Sequence, residues 1–437
     1  MKKSLVMILI TASIISAQIR TLTLEESLKI GLENSKVLKI SKAKVTGAEA
    51  RVTEVSSQML PKLSLGASYT RLSDVPPFEV NVPIFPMPIK IQDVILNNYS
   101  VKLSLQQPLF TGLRLSSLKN VAEQNKQATQ SDYNKDANET ALNIHNAFWN
   151  YYKTQKVLSL VEENLKQLKS HLSDTKKFLD NGLVTKNDYL KLEVQYANVK
   201  LMKIESENNV KMAKASLNKI LGFELTDQTE ISAEDIAVNM NNVKFDELKN
   251  EAIEQREELK STQLRINASE ESVTAARSAW FPSVYMFGDY YYSRPNQRIM
   301  PAKDEFNDTW DVGISLSWDL WNWGYNSSQT TQAEQQLIQT QATYEQIKDA
   351  IELEVYQTYL KLISEYDKVD VSKKTVEQTE ENYRITNESY AQQMATSTDL
   401  IDAENSLLDA KTKLANALVD FEMAKVRLEK AVGRKIY

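Results

Sequence analysis

The chain has 437 residues, a net charge of -6, 10 Gly, 10 Pro, 2 His and no Cys. Without Cys there is no disulfide scaffold, thiolate zinc site, Cys nucleophile or lipidated N-terminal Cys, and the acidic balance gives a nucleic-acid partner no electrostatic support. Gly and Pro together fall below half of their usual share of about 12%, and no Pro lies between Pro108 and Pro282 or after Pro301, so very long helices take the place of the turns that a compact α/β or all-β protein needs.

In chain order, residues 1–17 read as an export signal. Lys2 and Lys3 precede the short apolar run Leu5 to Ile15, and Ser16-Ala17 offers a small-residue cleavage site. The run is shorter than the ~20 residues of a membrane-spanning helix. Residues 18–222 form a first repeat: a helix, strands at about 61–71 and 99–109, a long helix at about 113–181 and a helix at about 185–222. Residues 72–98, with Pro76, Pro77, Pro83, Pro86 and Pro88, read as an extended surface loop. Residues 223–244 link the halves as part of an equatorial segment. Residues 245–437 repeat the order, with strands at about 282–292 and 309–320, a long helix at about 326–392 and a helix at about 396–433. A continuous helix over 113–181 would reach ~100 Å at about 1.5 Å per residue.

The duplication is explicit. Thr185/Thr396, Asp188/Asp399, Glu193/Glu404, Leu217/Leu428 and Gly222/Gly433 stand 211 positions apart, as do Val101-x-Leu-x-Leu105 and Val312-x-Ile-x-Leu316. The strands alternate: Trp310, Val312, Ile314, Leu316, Trp318 and Leu320 share one face, and Asp311, Gly313, Ser315, Ser317 and Asp319 the other. Such segments, with aromatics near their ends, suit a transmembrane barrel; a half-buried sheet packed on a helix has the same period. The export signal and the aromatic ends favour the barrel.

The helices carry heptads. Leu400, Leu407, Leu414, Phe421 and Leu428 recur every seven residues, with Ala403, Ala410, Ala417, Ala424 and Ala431 three positions later. Leu190, Val194, Ala197, Leu201 and Ile204 keep the same spacing. These seams fit packing between neighbouring protomers, and an intramolecular bundle has the same pattern.

Four strands cannot make a membrane barrel alone, because an open sheet leaves two unpaired edges in hydrocarbon. Two copies reach only the minimum of eight strands; three give twelve and a lumen. The strand–loop–strand units after Pro61 and Pro282, the helical hairpins, and the tip Asn181-Gly182-Leu183-Val184-Thr185-x-x-Asp188-Tyr-Leu with its echo Ala395-Thr396-Ser-Thr-Asp399 together resemble the TolC family of outer-membrane channel-tunnel proteins. The resemblance covers essentially the whole chain after residue 17. It implies a mainly α protein with a small β part: a homotrimer whose four strands per protomer form a 12-stranded outer-membrane barrel, continued by a long periplasmic helical barrel.

It also implies a passive exit duct of a tripartite efflux or type I secretion system, partnered by a periplasmic adaptor, an inner-membrane pump and outer-membrane lipid, with no cofactor. The resemblance places adaptor docking at the tips, here Gly182, Leu183, Val184 and Thr185, and Met394, Ala395 and Thr396. It places a periplasmic constriction near acidic residues, for which Asp180, Asp188, Asp399 and Asp402 are the candidates. Read from spacing alone, Thr185 with Asp188 and Thr396 with Asp399 are capping boxes, which serve a plain helix start equally well. The second tip has Gln393-Met394 where the family has Gly, so its turn is expected to differ in shape or docking. His145, beside Phe148 and Trp149, reads as packing, and His171 as one of several exposed polar residues. Residue patterns of known catalytic sites are missing, and no enzyme is expected. The competing reading is a periplasmic coiled-coil spacer or adhesin stalk, which would have no use for alternating, aromatic-bounded strands.

Overall fold

The structure is a computed structural model that describes residues 20–80, 83–84, 86–87, 89–92, 94–234, 236–240 and 244–437. The expected export signal lies outside these residues. The first half runs β1 (Arg20–Leu22), α1 (Leu24–Asn34), α2 (Lys36–Ser57), β2 (Lys62–Arg71), β3 (Phe78–Val80), β4 (Ile89–Gln92), β5 (Asn97–Phe110), α3 (Arg114–Asp180), α4 (Lys186–Leu221) and β6 (Thr229–Ile231). The second half runs α5 (Phe245–Gln255), α6 (Glu257–Arg277), β7 (Ser283–Arg294), β8 (Asn307–Ser317), α7 (Tyr325–Ala391) and α8 (Ser397–Ala431). Both halves keep the same order of long elements.

Three local features depart from the sequence reading. The single helix expected at the start of each half is two, broken at Ser35 and Arg256, whose backbones are extended. Ser35 Oγ accepts from the Leu38 N–H and restarts the helix. Arg256, nearly buried, turns inward to donate to the Lys430 and Ala431 carbonyls and to pair with Glu258 and Glu354. The loop at 72–98 is not wholly irregular, since β3 and β4 pair within it as a small antiparallel hairpin. The fourth strand ends at Ser317 rather than 320, so Trp318 and Leu320 lie beyond it. Ser283 pairs with Ser317, and Pro282 before it brings no N–H to continue the ladder.

The chain forms two compact units. One holds residues up to Lys42 with Asp132–Leu259 and Ile347–Tyr437, the other Ala43–Ser131 with Lys260–Gln346. In the first, Leu28 of α1, Ile144, Phe148 and Tyr151 of α3, Leu217 and Leu221 of α4, and Val419 and Met423 of α8 make one core. Tyr151 is wholly buried and donates its hydroxyl to the Thr229 carbonyl on β6, which itself pairs in parallel with β1. Further along, Val161 and Leu168 of α3 meet Leu192 and Val199 of α4. In the second unit, Val45, Val55, Ala128, Ile266 and Ala268 are buried, and Asn120 donates to Glu271. Its sheet has the order β2-β5-β7-β8.

The two seams divide. Leu400, Ala403, Leu407, Ala410, Ala417, Phe421, Ala424, Leu428 and Ala431 are buried within the chain, so the α8 seam packs inside the protomer and not between neighbours. On α4 the stripe Leu190, Val194, Leu201 and Ile204 is exposed, Val194 to 62%, while Leu192, Val199 and Ala213, on another face, are buried.

Candidate functional site

The sheet comes first, because its registration sorts its residues into two chemically different faces. All pairs are antiparallel, and the ladder aligns Leu63–Leu105–Gly288–Val312 and Leu65–Leu103–Tyr290–Trp310 across the four strands. Successive side chains alternate, so these rows and Met286–Ile314 share one apolar face, where Leu65, Val312 and Ile314 are each about 70% exposed. An apolar face this bare, on all four strands, is what hydrocarbon rather than water would cover. The other face carries Ser64, Lys102, Ser104, Asp289, Tyr291, Asp311, Ser315 and Ser317, with Lys102 Nζ 2.8 Å from Asp289 Oδ2. Gly313 lies against the Phe287 ring, and a Cβ there would come within 2.6 Å of it.

Aromatic residues gather at both strand ends. Tyr69, Tyr99, Tyr292 and Phe306 are neighbours at one, Tyr292 stacked on Phe306 at 5.0 Å. Trp280, Phe281, Trp318, Trp321 and Trp323 stand exposed near the other, the Trp318 indole N–H donating to the Trp280 carbonyl. Two aromatic girdles flanking an apolar band are the signature of a barrel strand at the two membrane interfaces. Among the described residues β2 pairs only with β5 and β8 only with β7, so the sheet has two edges to satisfy.

The tips are built by turn chemistry. At the first, Gly182 has φ +72, its N–H donates to the Leu179 carbonyl and the Leu183 N–H to that of Phe178. This is a Schellman ending, with glycine in the left-handed position. At the second, Gln393 has φ +62, its N–H donates to the Tyr390 carbonyl and that of Met394 to the Ser389 carbonyl. The expectation of a differently shaped second turn is therefore wrong in its backbone: hydrogen bonding imposes the same ending, and Gln393 bears the strain that glycine escapes. Leu183 and Met394 are both exposed, and Val184 and Ala395 half-buried.

Each cap closes reciprocally. The Thr185 hydroxyl donates to Asp188 Oδ2 at 2.6 Å and accepts from the Asp188 N–H at 3.2 Å; Thr396 and Asp399 repeat both distances. The threonine hydroxyl holds each carboxyl below the usual carboxylate range, helped by the threonine backbone N–H. Asp188 and Asp399 are thus engaged as caps, whereas Asp180 and Asp402 are simply exposed. We expect Thr185→Ala and Thr396→Ala to cost the helix starts about 1 kcal/mol each, read as faster hydrogen exchange at the Asp188 and Asp399 amides. Because the folded carboxyls titrate lower than unfolded ones, their contribution is complete above pH ~4 and is lost as pH falls through the depressed values. Exchange protection that instead weakened towards alkaline pH would contradict this.

Behind the tips lies a cluster that the sequence reading missed. His171 is not an exposed polar residue: its Nε2 is 3.1 Å from the Tyr383 hydroxyl and 3.2 Å from Glu404 Oε1, and the Glu404 side chain is 1% exposed. Burial and the charges of Glu404 and Glu163 push the Tyr383 hydroxyl up to about 12. Thr175 and Tyr390, both buried, share a 2.6 Å hydrogen bond nearer the tip. One signal was available: Glu404 is a charge on the apolar stripe between Ala403 and Leu407. His145 fits its packing role, being buried with Nε2 3.0 Å from the Ile436 carbonyl, and burial lowers its pKa.

A sheet that is apolar on one side and polar on the other, built from two strands of each half of a duplicated chain that also supplies paired helical hairpins, defines an outer-membrane channel subunit. The model of the outer membrane efflux protein family matches residues 28–223 and 248–434, one segment in each half, and the chain belongs to that family. It is 22% identical over 373 residues to the outer membrane protein TolC of Salmonella enteritidis, spanning 84% of this chain and 72% of that protein. To TolC of Escherichia coli K12 it is 23% identical over 383 residues, 84% and 73% of the two chains. Its fold is that of the outer membrane protein VceC from Vibrio cholerae, with a TM-score of 0.79 at 18% identity over 95% of this chain and 97% of that one. The family is one of outer-membrane efflux channels rather than of enzymes, and the match supports the efflux duct over the stalk.

Proposed function

We propose that three copies of this chain close their sheets into a 12-stranded barrel in the outer membrane. Their helices then form the periplasmic part of a passive duct, with no catalytic step of its own, fed by a periplasmic adaptor and an inner-membrane pump. The observation that carries this reading is the four-stranded sheet with a continuous bare apolar face and unpaired edges at β2 and β8 among the described residues. In hydrocarbon each unsatisfied backbone group costs several kcal/mol, so β2 of one protomer must pair with β8 of the next. The exposed α4 stripe at Leu190, Val194, Leu201 and Ile204 supports the same assembly, since it repeats the heptad spacing of an interhelical seam and meets no core in its own chain among the described residues.

The tips Gly182 to Thr185 and Met394 to Thr396 take the role of adaptor contacts, and Asp180 and Asp402 that of the acidic entrance. Asp188 and Asp399 stand beside them as capping residues. Segment 223–244 belongs to an equatorial belt. Native mass spectrometry of the detergent-extracted protein should report a trimer, released from membranes by detergent and not by carbonate. A monomer or dimer would overturn the assembly.

A further inference from the structure

The loop between β7 and β8 does not stand away from the sheet. Asn296, 3% exposed, donates its amide to the Asn307 carbonyl at 3.1 Å and to Thr309 Oγ1 at 3.2 Å, and its Oδ1 accepts from the Arg298 N–H at 3.0 Å. Arg298 in turn donates to the Trp310 carbonyl at 3.2 Å, pairs with Asp311, and lies 5.1 Å from the centroid of the Tyr291 ring. Thr309, Tyr291 and Asp311 all belong to the polar face, so the first part of the loop, Asn296 to Arg298, is folded back over that face, while Phe306 at its end packs on Tyr292.

The rung beneath it is unusual. Asp289 and Asp311 are direct cross-strand partners, an arrangement that like charges destabilise. Lys102 neutralises one from β5, at 2.8 Å, and Arg298 neutralises the other from the loop. The Tyr291 hydroxyl also donates to Asp289 at 3.2 Å. One oxygen of each aspartate remains buried without a hydrogen-bond partner among the described residues. Asp311 thus makes the loop's position a condition of the sheet's own electrostatic balance, which a mobile surface loop would not be.

We infer that this loop enters the lumen at the exterior mouth of the barrel, where three copies of Arg298 over Asp311 form a charged constriction that sets the ion selectivity of the exit. The inference rests on the barrel reading, because the polar face is the lumenal one only if the sheets close. Three fixed guanidinium–carboxylate pairs at one level are a ring of the kind that decides which charged solutes pass. The chemical class concerned is therefore small charged solutes, discriminated by sign.

The absence of Cys makes the test direct, since one introduced thiol is unique. Purified full-length Arg298→Cys, inserted in planar bilayers under a KCl gradient, is treated with a cationic and an anionic methanethiosulfonate reagent. Met87→Cys, an exposed position of the other loop, is treated in parallel. In the Arg298→Cys variant the anionic adduct should shift the cation/anion permeability ratio towards cations by roughly twofold or more, and the cationic adduct should restore the wild-type value. In the Met87→Cys variant neither reagent should act. Asp311→Asn, which leaves the Asn296 anchors in place, should move the ratio towards anions. A conducting trimer whose selectivity ignores both the adducts at position 298 and Asp311→Asn overturns the constriction and leaves the barrel standing. A wild-type protein that does not insert into the bilayer as a trimer overturns the barrel reading and this inference together.

Discussion

Ile314→Arg should lose about 2–4 kcal/mol of membrane stability per protomer if the residue lies near the bilayer midplane, whereas Ser315→Arg, one position on, should be tolerated. Ile314 is 70% exposed and pairs across the strand with Met286, within the apolar rows of all four strands. Ser315 faces the opposite way with Asp311 and Gly313, towards the side that also carries Lys102 and Asp289. A guanidinium at 314 would have to leave water for hydrocarbon, while at 315 it would remain in the aqueous lumen. The effect repeats in every protomer and falls on an edge strand whose pairing closes the barrel, so trimer yield should drop steeply. Urea titration in lipid vesicles, together with the fraction of trimer on native gels, reads both quantities. Equal losses for the two substitutions would mean that the facing, or the barrel, is wrong.

The second large effect is expected at the tips. Leu183→Asp and Gly182→Val should abolish export and adaptor crosslinking while trimer yield stays intact; Met394→Asp and Gln393→Val should be milder. Gly182 sits at φ +72 with nothing within 4 Å of where a Cβ would stand. A β-branched side chain there is strained by about 1–2 kcal/mol and fills the open space that the proposed adaptor contact would use. The two turns share one backbone geometry, so their difference is not one of shape. It lies in the Gln393 side chain, which already occupies the place that Gly182 leaves open. Leu183 and Met394 are both exposed apolar residues at a hairpin end, where a docking partner accounts for them better than a core does. Gln393→Gly should relieve strain and stabilise the second tip by up to ~1 kcal/mol. Export that survives the first-tip substitutions and fails with the second-tip ones would reverse the assignment.

Much of this was legible in the amino-acid order because the forces involved are local. The alternation of Val312, Ile314 and Leu316 with Gly313 and Ser315 is a property of one strand, and it sorted the two faces correctly. Thr185 with Asp188, and Thr396 with Asp399, are three positions apart because a cap must reach the N–H of the first turn, and both boxes are closed. Duplication at 211 positions was equally plain, since paired helices and strands repeat the same residues. The sequence by itself therefore determined the long elements, their order, the two faces of the sheet and the class of protein.

Only the tertiary structure decided which surfaces are spent inside the chain. The α8 seam of Leu400, Leu407 and Phe421 and the α4 stripe of Leu190, Val194 and Leu201 have the same heptad pattern, yet one is buried in its own protomer and the other is bare. Periodicity describes the surface of a single helix and cannot name the helix that covers it. The same limit concealed His171 beside Tyr383 and Glu404, brought together from three helices with 212 positions between His171 and Tyr383. It concealed Arg298 over Asp311 as well, because a loop with no period of its own takes its place from the charges it meets.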